Sequence, residues 1–465
     1  MFLWVLWTTL VLVVILKGLE TLRLRKSRLE QDEWSSGAAD GRKLEQQYLM
    51  GYLMAVAADW LQGPYVYALY SFYGYEQQDI GILYITGFLS SAVAGTFIAS
   101  LADRFGRKRL VLAFALIYAL SCVTKHSGKF EVLLMGRVLG GIAYSILFSV
   151  FEAWVVCEHN ARNLPAKQLS MIFARAQFGN GVLAIVAGQV AGAVAAKGTK
   201  VSPFDVSLVV LVATFLVVFI TWNENYGDSS VPAGVSFRQA IHFIRSNEDV
   251  FLIGLVSTCF EGALYSFTFA WTPALQHLYG DEKIREIPHG TIFSTMMACM
   301  MSGGTIFGLL TNHHVSSQFV VLLVFGLSLL SFLASALFDS MWVSYFAFLI
   351  FEISCGLYFP AMASLRAPLI PENIRGSTLS IYRLPINIVV VVIMTFTADS
   401  NSIIHCCIAL LAAGFIGHGR LLRNERRQNR STVQSSVKTK KMKIQGNDKS
   451  DNGDFHVIDE DIAPP

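Results

Sequence analysis

Apolar stretches close to the roughly twenty residues that a bilayer crossing needs recur along almost the whole chain, separated by short polar connections. They occupy approximately 2–17, 46–70, 78–101, 108–125, 132–157, 168–196, 203–222, 250–278, 288–311, 315–338, 341–365, 376–398 and 402–422. In lipid the backbone has no water to bond, so a helix, which satisfies its own N–H and C=O groups, is the expected form of each. The pattern predicts an all-α polytopic membrane protein with thirteen spans.

The longest polar interruption between spans after the first fifty residues is 223–249. Setting the first run aside, it divides the remaining twelve into six and six: an N-terminal half at 46–222 and a C-terminal half at 250–422. The halves echo each other. "LSMIFAR" at 169–175 answers "LSIYR" at 379–383, and "LQGPYVY" at 61–67 resembles "FEGALYS" at 260–266 in pattern. Repeated halves about a central loop are a transporter arrangement. The first run, 1–17, lacks a basic leading region and a small-residue cleavage site, so it reads as a retained leader helix. Residues 18–45 read as a linker, and the polar 423–465 as a disordered tail.

Composition agrees with lipid. Only 15% of the 465 residues are charged and mean hydropathy is +0.50, against about 25% charge in a typical soluble domain. The net charge of +3 conceals segregation by connection. Lys17, Arg23, Arg25, Lys26 and Arg28, then Arg104, Arg107, Lys108 and Arg109, then Arg162, Lys167, Arg238, Arg245, Arg366, Arg375 and Arg420 fall on alternate connections. The positive-inside rule then places the linker, the central loop and the tail in the cytosol. The plasma membrane is the expected residence.

Seven cysteines lie in or at the ends of apolar runs, so no disulfide framework is expected. No His/Cys cluster has metal-ligand spacing; His313 and His314 read as a solvated loop. No nucleophile constellation or phosphate-cradling loop appears, so neither an enzyme, a metal nor a cofactor is expected. The basic connections are accounted for by topology and carry no sign of nucleic-acid binding.

The connection "LADRFGRKRL" (101–110) crowds four cations and one acid between two apolar runs. Leu101, Ala102, Asp103, Arg104, Gly106, Arg107 and Lys108 resemble the loop motif of the major facilitator superfamily, at its proper place between the second and third of twelve spans; Ala99 stands where that family usually has glycine. The resemblance implies two six-helix halves that alternate in access, with Asp103 facing the start of the eleventh helix near Ser377 and Thr378. A carboxylate at a helix N-terminus is favoured by about 0.3–1 kcal/mol. "GRVLGG" (136–141) resembles that superfamily's fourth-helix arginine motif, which is associated with proton coupling in some members. "ADWLQGPYVYALY" (58–70), "GRVLGGIAYSILFSVFEAW" (136–154), "FEGALYSFTFAWTPAL" (260–275) and "FEISCGLYFPAMASLR" (351–366) resemble, in order, the eukaryotic molybdate-anion transporters within the superfamily. That likeness implies import of molybdate, a tetrahedral oxyanion.

Ionisable groups inside spans are costly and point to function. Here they are Asp59, Arg137, Glu152, Arg175, Glu261, Glu352 and Arg383. Arg175 and Arg383 stand seven residues into equivalent runs of the two halves. Two guanidinium forks converging from both halves would suit an oxyanion, with Gln62, Tyr65, Asn180, Tyr358 and Asn387 as polar partners and Gln177 and Tyr382 nearby. The alternative is that the arginines pair with Glu152 and Glu352 as structural or gating bridges. Asp59, Glu152, Glu261 and Glu352 are candidate proton carriers; Arg137, Asp103, Arg104 and Arg107 are candidates for coupling or gating. A carrier for another small anion or organic solute, and a non-transporting membrane sensor or scaffold, stay open as functions.

Overall fold

The computed structural model describes residues 1–28, 38–226, 233–279, 287–397 and 399–424; the expected tail beyond 424 lies outside them. Those residues are helical almost throughout. A first helix, α1 (Phe2–Arg28), precedes α2 (Ala38–Gln62), a single 3-10 turn at Gly63–Tyr65, α3 (Val66–Phe72), α4 (Gln77–Phe105) and α5 (Arg107–Thr124). The first half continues with α6 (Phe130–Leu147), α7 (Val150–Ala161), α8 (Ala166–Lys197) and α9 (Ser202–Thr221). A short α10 (Ala233–Ser246) leads to α11 (Glu248–Tyr279), α12 (His289–Asn312), α13 (Ser317–Leu337), α14 (Met341–Leu369) and α15 (Glu372–Phe396), and a final α16 spans Ser400–Asn424.

Eleven helices among the described residues are long and apolar enough to cross a membrane. The other two expected spans are helical as well. α2 is diluted by Asp40, Arg42, Lys43 and Glu45 in its first turns and is broken by Pro64, while α5 opens on three consecutive cations. The expected fourth span is two helices, α6 and α7, separated at Phe148–Ser149, where the Ser149 hydroxyl donates back to the Ser145 carbonyl at 2.6 Å.

Three boundaries differ from the pattern for one reason: hydropathy marks where lipid ends, not where a helix ends. α1 runs to Arg28 through Leu, Glu, Lys and Arg, which favour helix once wet. α2 begins at Ala38 rather than 46, so residues 18–28 and 38–45 of the expected linker are helical, and the central loop holds α10.

Of two apolar cores, one lies within the first half and the other, centred on the second half, takes in Tyr70, Leu83, Tyr84 and Ile185 of the first. The former packs Phe114, Phe151, Trp154, Phe204 and Trp222; the latter packs Phe260, Phe267, Phe332, Phe348, Phe351 and Tyr358. The halves meet along α8 with α12 and α4 with α15. Along α8 the contacts run from Gly181, against Met301, to Gly192, against Gly290. These positions run from the middle of α8 towards its end and from the start of α12 to its middle. A Cβ on Gly290 would collide with the carbonyl of Gly188, so the backbones touch there. Ser294 Oγ donates to the Ile185 carbonyl at 2.7 Å, and Gln189 Nε2 donates to Ser294 Oγ at 2.9 Å. On the opposite side Tyr67 and Tyr84 pack edge-on to Phe269, and Gly81 faces the Met394 carbonyl. The seam is closed at the end opposite the 101–110 connection.

At the connection itself a segment following α9 is laid across the first half. Glu224 accepts from the Lys108 and Arg109 backbone N–H groups at 2.9 and 3.3 Å, capping α5, and Arg107 N donates to the Asn225 carbonyl at 3.0 Å. Asn225 donates to the Trp154 carbonyl and to Glu158, while the Trp154 and Trp222 rings stack 3.7 Å apart. Gly106 joins α4 to α5 at φ 100°, a conformation that favours glycine.

Glu224→Ala should cost about 1–2 kcal/mol through the lost cap, read as a lower thermal midpoint of the detergent-purified protein. Gly106→Ala should destabilise more than Gly74→Ala. Both positions have positive φ, but a Cβ at Gly106 meets Glu224, whereas Gly74 has open space.

Candidate functional site

Tyr144 on α6 identifies the space between the halves. It is 40% exposed, yet Asp59 on α2, Glu261 and Tyr265 on α11, and Arg383 on α15 all act on it electrostatically. A solvent-accessible side chain that faces charges from both halves lines the gap between them. Arg383 is exposed about three turns into α15, also within electrostatic reach of Tyr265. Asn387, one turn further along the same face, is half-buried.

Beside this group the second half holds a nearly dry ionic cluster. Arg366 donates to Ser257 Oγ at 2.7 Å, to Glu261 Oε1 at 3.0 Å and to the Tyr358 hydroxyl at 3.4 Å; Tyr358 also donates to Glu261 at 3.0 Å. Tyr358 is fully buried and stacks on Phe260 at 3.9 Å. The first half answers with Asp59, which accepts from the Tyr118 hydroxyl at 2.5 Å and lies in the field of Arg137. Arg137 lies over the Tyr84 ring at 5.0 Å, donates to the Leu83 carbonyl at 3.1 Å, and fits because Gly87 leaves room for its guanidinium.

The expected convergence of two arginines is not what forms. Arg175 is ion-paired with Glu45 of α2 and is more than half exposed near the motif end, away from the groups facing Tyr144. Its partner is neither Glu152 nor Glu352. Glu45 had been assigned to the linker, and only the early start of α2 makes it helical.

Three expected substrate contacts are turned elsewhere. Gln62 is buried and donates to Ser207 Oγ at 3.0 Å, inside the first half. Tyr65 is buried against His289 at the closed end. Tyr358 serves the Glu261–Arg366 cluster, and Tyr382 donates to the Val250 carbonyl at 2.5 Å. Asn180 accepts from Trp60 Nε1 at 2.6 Å, and Trp60 packs on Phe293 of α12 at 5.9 Å. These three side chains make part of the floor where the seam closes.

The gating candidates divide too. Glu152 is exposed near Tyr48 and Tyr52 and lines a groove of about 620 Å³ with Arg107 and Tyr226. Glu352 is buried beside Cys299 and Cys355, where α12, α14 and Thr9 of α1 meet. Asp103 accepts from Arg107 at 3.0 Å, four residues along the same connection; Thr378 is buried and bonds the Ile374 carbonyl. Arg104 lies over the Phe105 ring at 5.5 Å.

Sequence reasoning missed Tyr144, Tyr265, Arg366 and Glu224. Arg366 fell one residue beyond an apolar run that α14 outlasts, and the tyrosines read as ordinary packing. Glu224 carried no signal, since its partners are backbone groups more than a hundred residues away.

Residues 10–344 match a family described as sugar transporters with 12 TM segments. The chain is 36% identical to the molybdate-anion transporter of Xenopus tropicalis over 75% of this chain and 77% of that one. It is 32% identical to the molybdate-anion transporter of Takifugu rubripes over 79% and 82%. In three dimensions it is similar to the nucleoside transporter NupG, with TM-score 0.62 at 10% identity, covering 82% of this chain and 98% of that one. The fold is therefore that of a transporter, not of an enzyme. The sugar description and the molybdate relatives differ in solute but agree on architecture, and the chain belongs to the molybdate-anion transporter family of the major facilitator superfamily.

Proposed function

We propose that this protein imports molybdate by alternating access, with Arg383 as the cationic contact for the oxyanion. The observation that carries the reading is the group around Tyr144: one exposed guanidinium and two phenols, contributed by both halves, in a space sealed at one end. A guanidinium donates two parallel hydrogen bonds to adjacent oxygens, and the Tyr144 and Tyr265 hydroxyls can donate from opposite sides. Hydrogen bonds to a charged group contribute about 1.5–3 kcal/mol each. The named relatives add the choice of molybdate among oxyanions.

Cation placement puts the 101–110 end in the cytosol and the sealed end outside, so the arrangement corresponds to the inward-open state in the plasma membrane, with the C-terminus cytosolic. A dianion entering against 100 mV costs about 4.6 kcal/mol, twice the 2.3 kcal/mol for one charge. Accumulation then needs a co-moving cation, and Asp59 and Glu261, the carboxylates nearest the gap, are the proton candidates. A neutral solute is the second reading, favoured by the family description and by those same two carboxylates.

Arg383→Ala should raise the KM for molybdate by about ten- to a hundredfold, the equivalent of one lost charge-assisted contact, at normal surface expression. Arg175→Ala should have a smaller effect on KM. Labelled-molybdate uptake with sulfate as competitor measures both; an Arg383→Gln protein that takes up molybdate normally would overturn the anion reading. Removing one partner of the Glu261–Arg366 pair should destabilise by about 3 kcal/mol or more, and Glu261→Gln with Arg366→Met should recover thermal stability without recovering uptake. In proteoliposomes, uptake should accelerate when the outside is made acidic; indifference to both pH gradient and voltage rules out proton coupling.

A further inference from the structure

The first helix lies outside the two six-helix halves, but it is not a detached anchor. Leu6, Thr9 and Val13 of α1 are buried, and α1 packs along α12. Phe2 sits among Tyr279, Trp342 and Tyr345 at the closed end, with ring centroids 6.1, 4.9 and 5.2 Å away. Thr9 lies beside Cys299 midway, and Glu20 abuts Gly308 near the open end, where an added Cβ would stand 3.0 Å from the carboxylate. Every one of these partners belongs to the second half.

One α1 side chain crosses to the first half. Lys17 Nζ lies over the Phe178 ring of α8 at 5.5 Å and pairs with Glu20 at 2.6 Å. Its place is where the seam opens: α8 and α12 touch from Gly192–Gly290 to Gly181–Met301, and Phe178 is the next turn of α8 beyond the last of those contacts. Between Phe178 and Gly308 stands the Lys17–Glu20 pair. For the open end to close, the stretch of α8 before Phe178 has to approach the last turns of α12, and α1 occupies that path.

We infer that α1 is a strut carried by the second half, whose Lys17–Glu20 end props the α8–α12 seam open and biases the carrier toward this state. The inference rests on the alternating-access reading above. A single cation–π contact is strong enough to shift the balance of two states and too weak to lock one.

Two measurements test it. Spin labels on Lys167→Cys of α8 and Asn312→Cys of α12, with the native chain labelled alike as background, report the width of the open end by pulsed EPR. Lys17→Ala with Glu20→Ala should move population to the shorter separation; an unchanged distribution overturns the inference. Should that variant fail to insert, Lys17→Gln provides the same comparison. Separately, joining Glu20→Cys to Gly308→Cys with a bifunctional methanethiosulfonate should leave molybdate uptake intact, because α1 and α12 move together. Arrest that dithiothreitol reverses would overturn it. The EPR result does not depend on the solute, so a failure of molybdate uptake in the native chain would refute the function reading while leaving the strut to be judged on distance.

Discussion

The close approach of α8 and α12 is the contact on which the rest of the arrangement depends. Gly188, Gly192 and Gly290 bring two backbones together without intervening side chains, and Ser294 and Gln189 tie the helices by hydrogen bonds at the same level. In lipid, burying apolar surface between helices gives little advantage over leaving it against acyl chains, so association relies on packing and on bonds of this kind. The glycine contacts between them end near Gly181.

Within each half the charges obey a second constraint. A buried ion needs a partner and hydrogen bonds to be tolerated, and both halves solve this with the same components: a carboxylate on the first helix, a tyrosine hydroxyl donating to it, and an arginine nearby. In the first half these are Asp59, Tyr118 and Arg137; in the second, Glu261, Tyr358 and Arg366. The arginines come from different helices, α6 and α14, so the likeness is of chemistry rather than of position. Arg383 has no such close carboxylate among its bonded neighbours and meets the open space between the halves.

The motif end of the first half is held by a device of another sort. Glu224 and Asn225 bond backbone groups of α5 and its approach, and the stacked Trp154 and Trp222 close the cluster from below. The cations of 101–110 set topology; the turn they occupy is shaped by Gly106 and by an acid that follows α9.

The helical character of every expected span, the superfamily loop motif and the charged positions within spans were all legible in the sequence, because lipid imposes a long apolar period that local composition cannot hide. Which charges meet was not. Arg175 and Arg383 occupy matching places in "LSMIFAR" and "LSIYR", yet one is neutralised by Glu45 and the other faces Tyr144. A helix carries side chains in all directions, and rotations of a fraction of a turn, set by packing against neighbours hundreds of residues away, decide which of them face the gap. Helix ends escaped for a related reason: hydropathy reports the end of an apolar run, whereas α1, α2 and α14 extend past it, and Glu45 and Arg366 find their partners on those extensions.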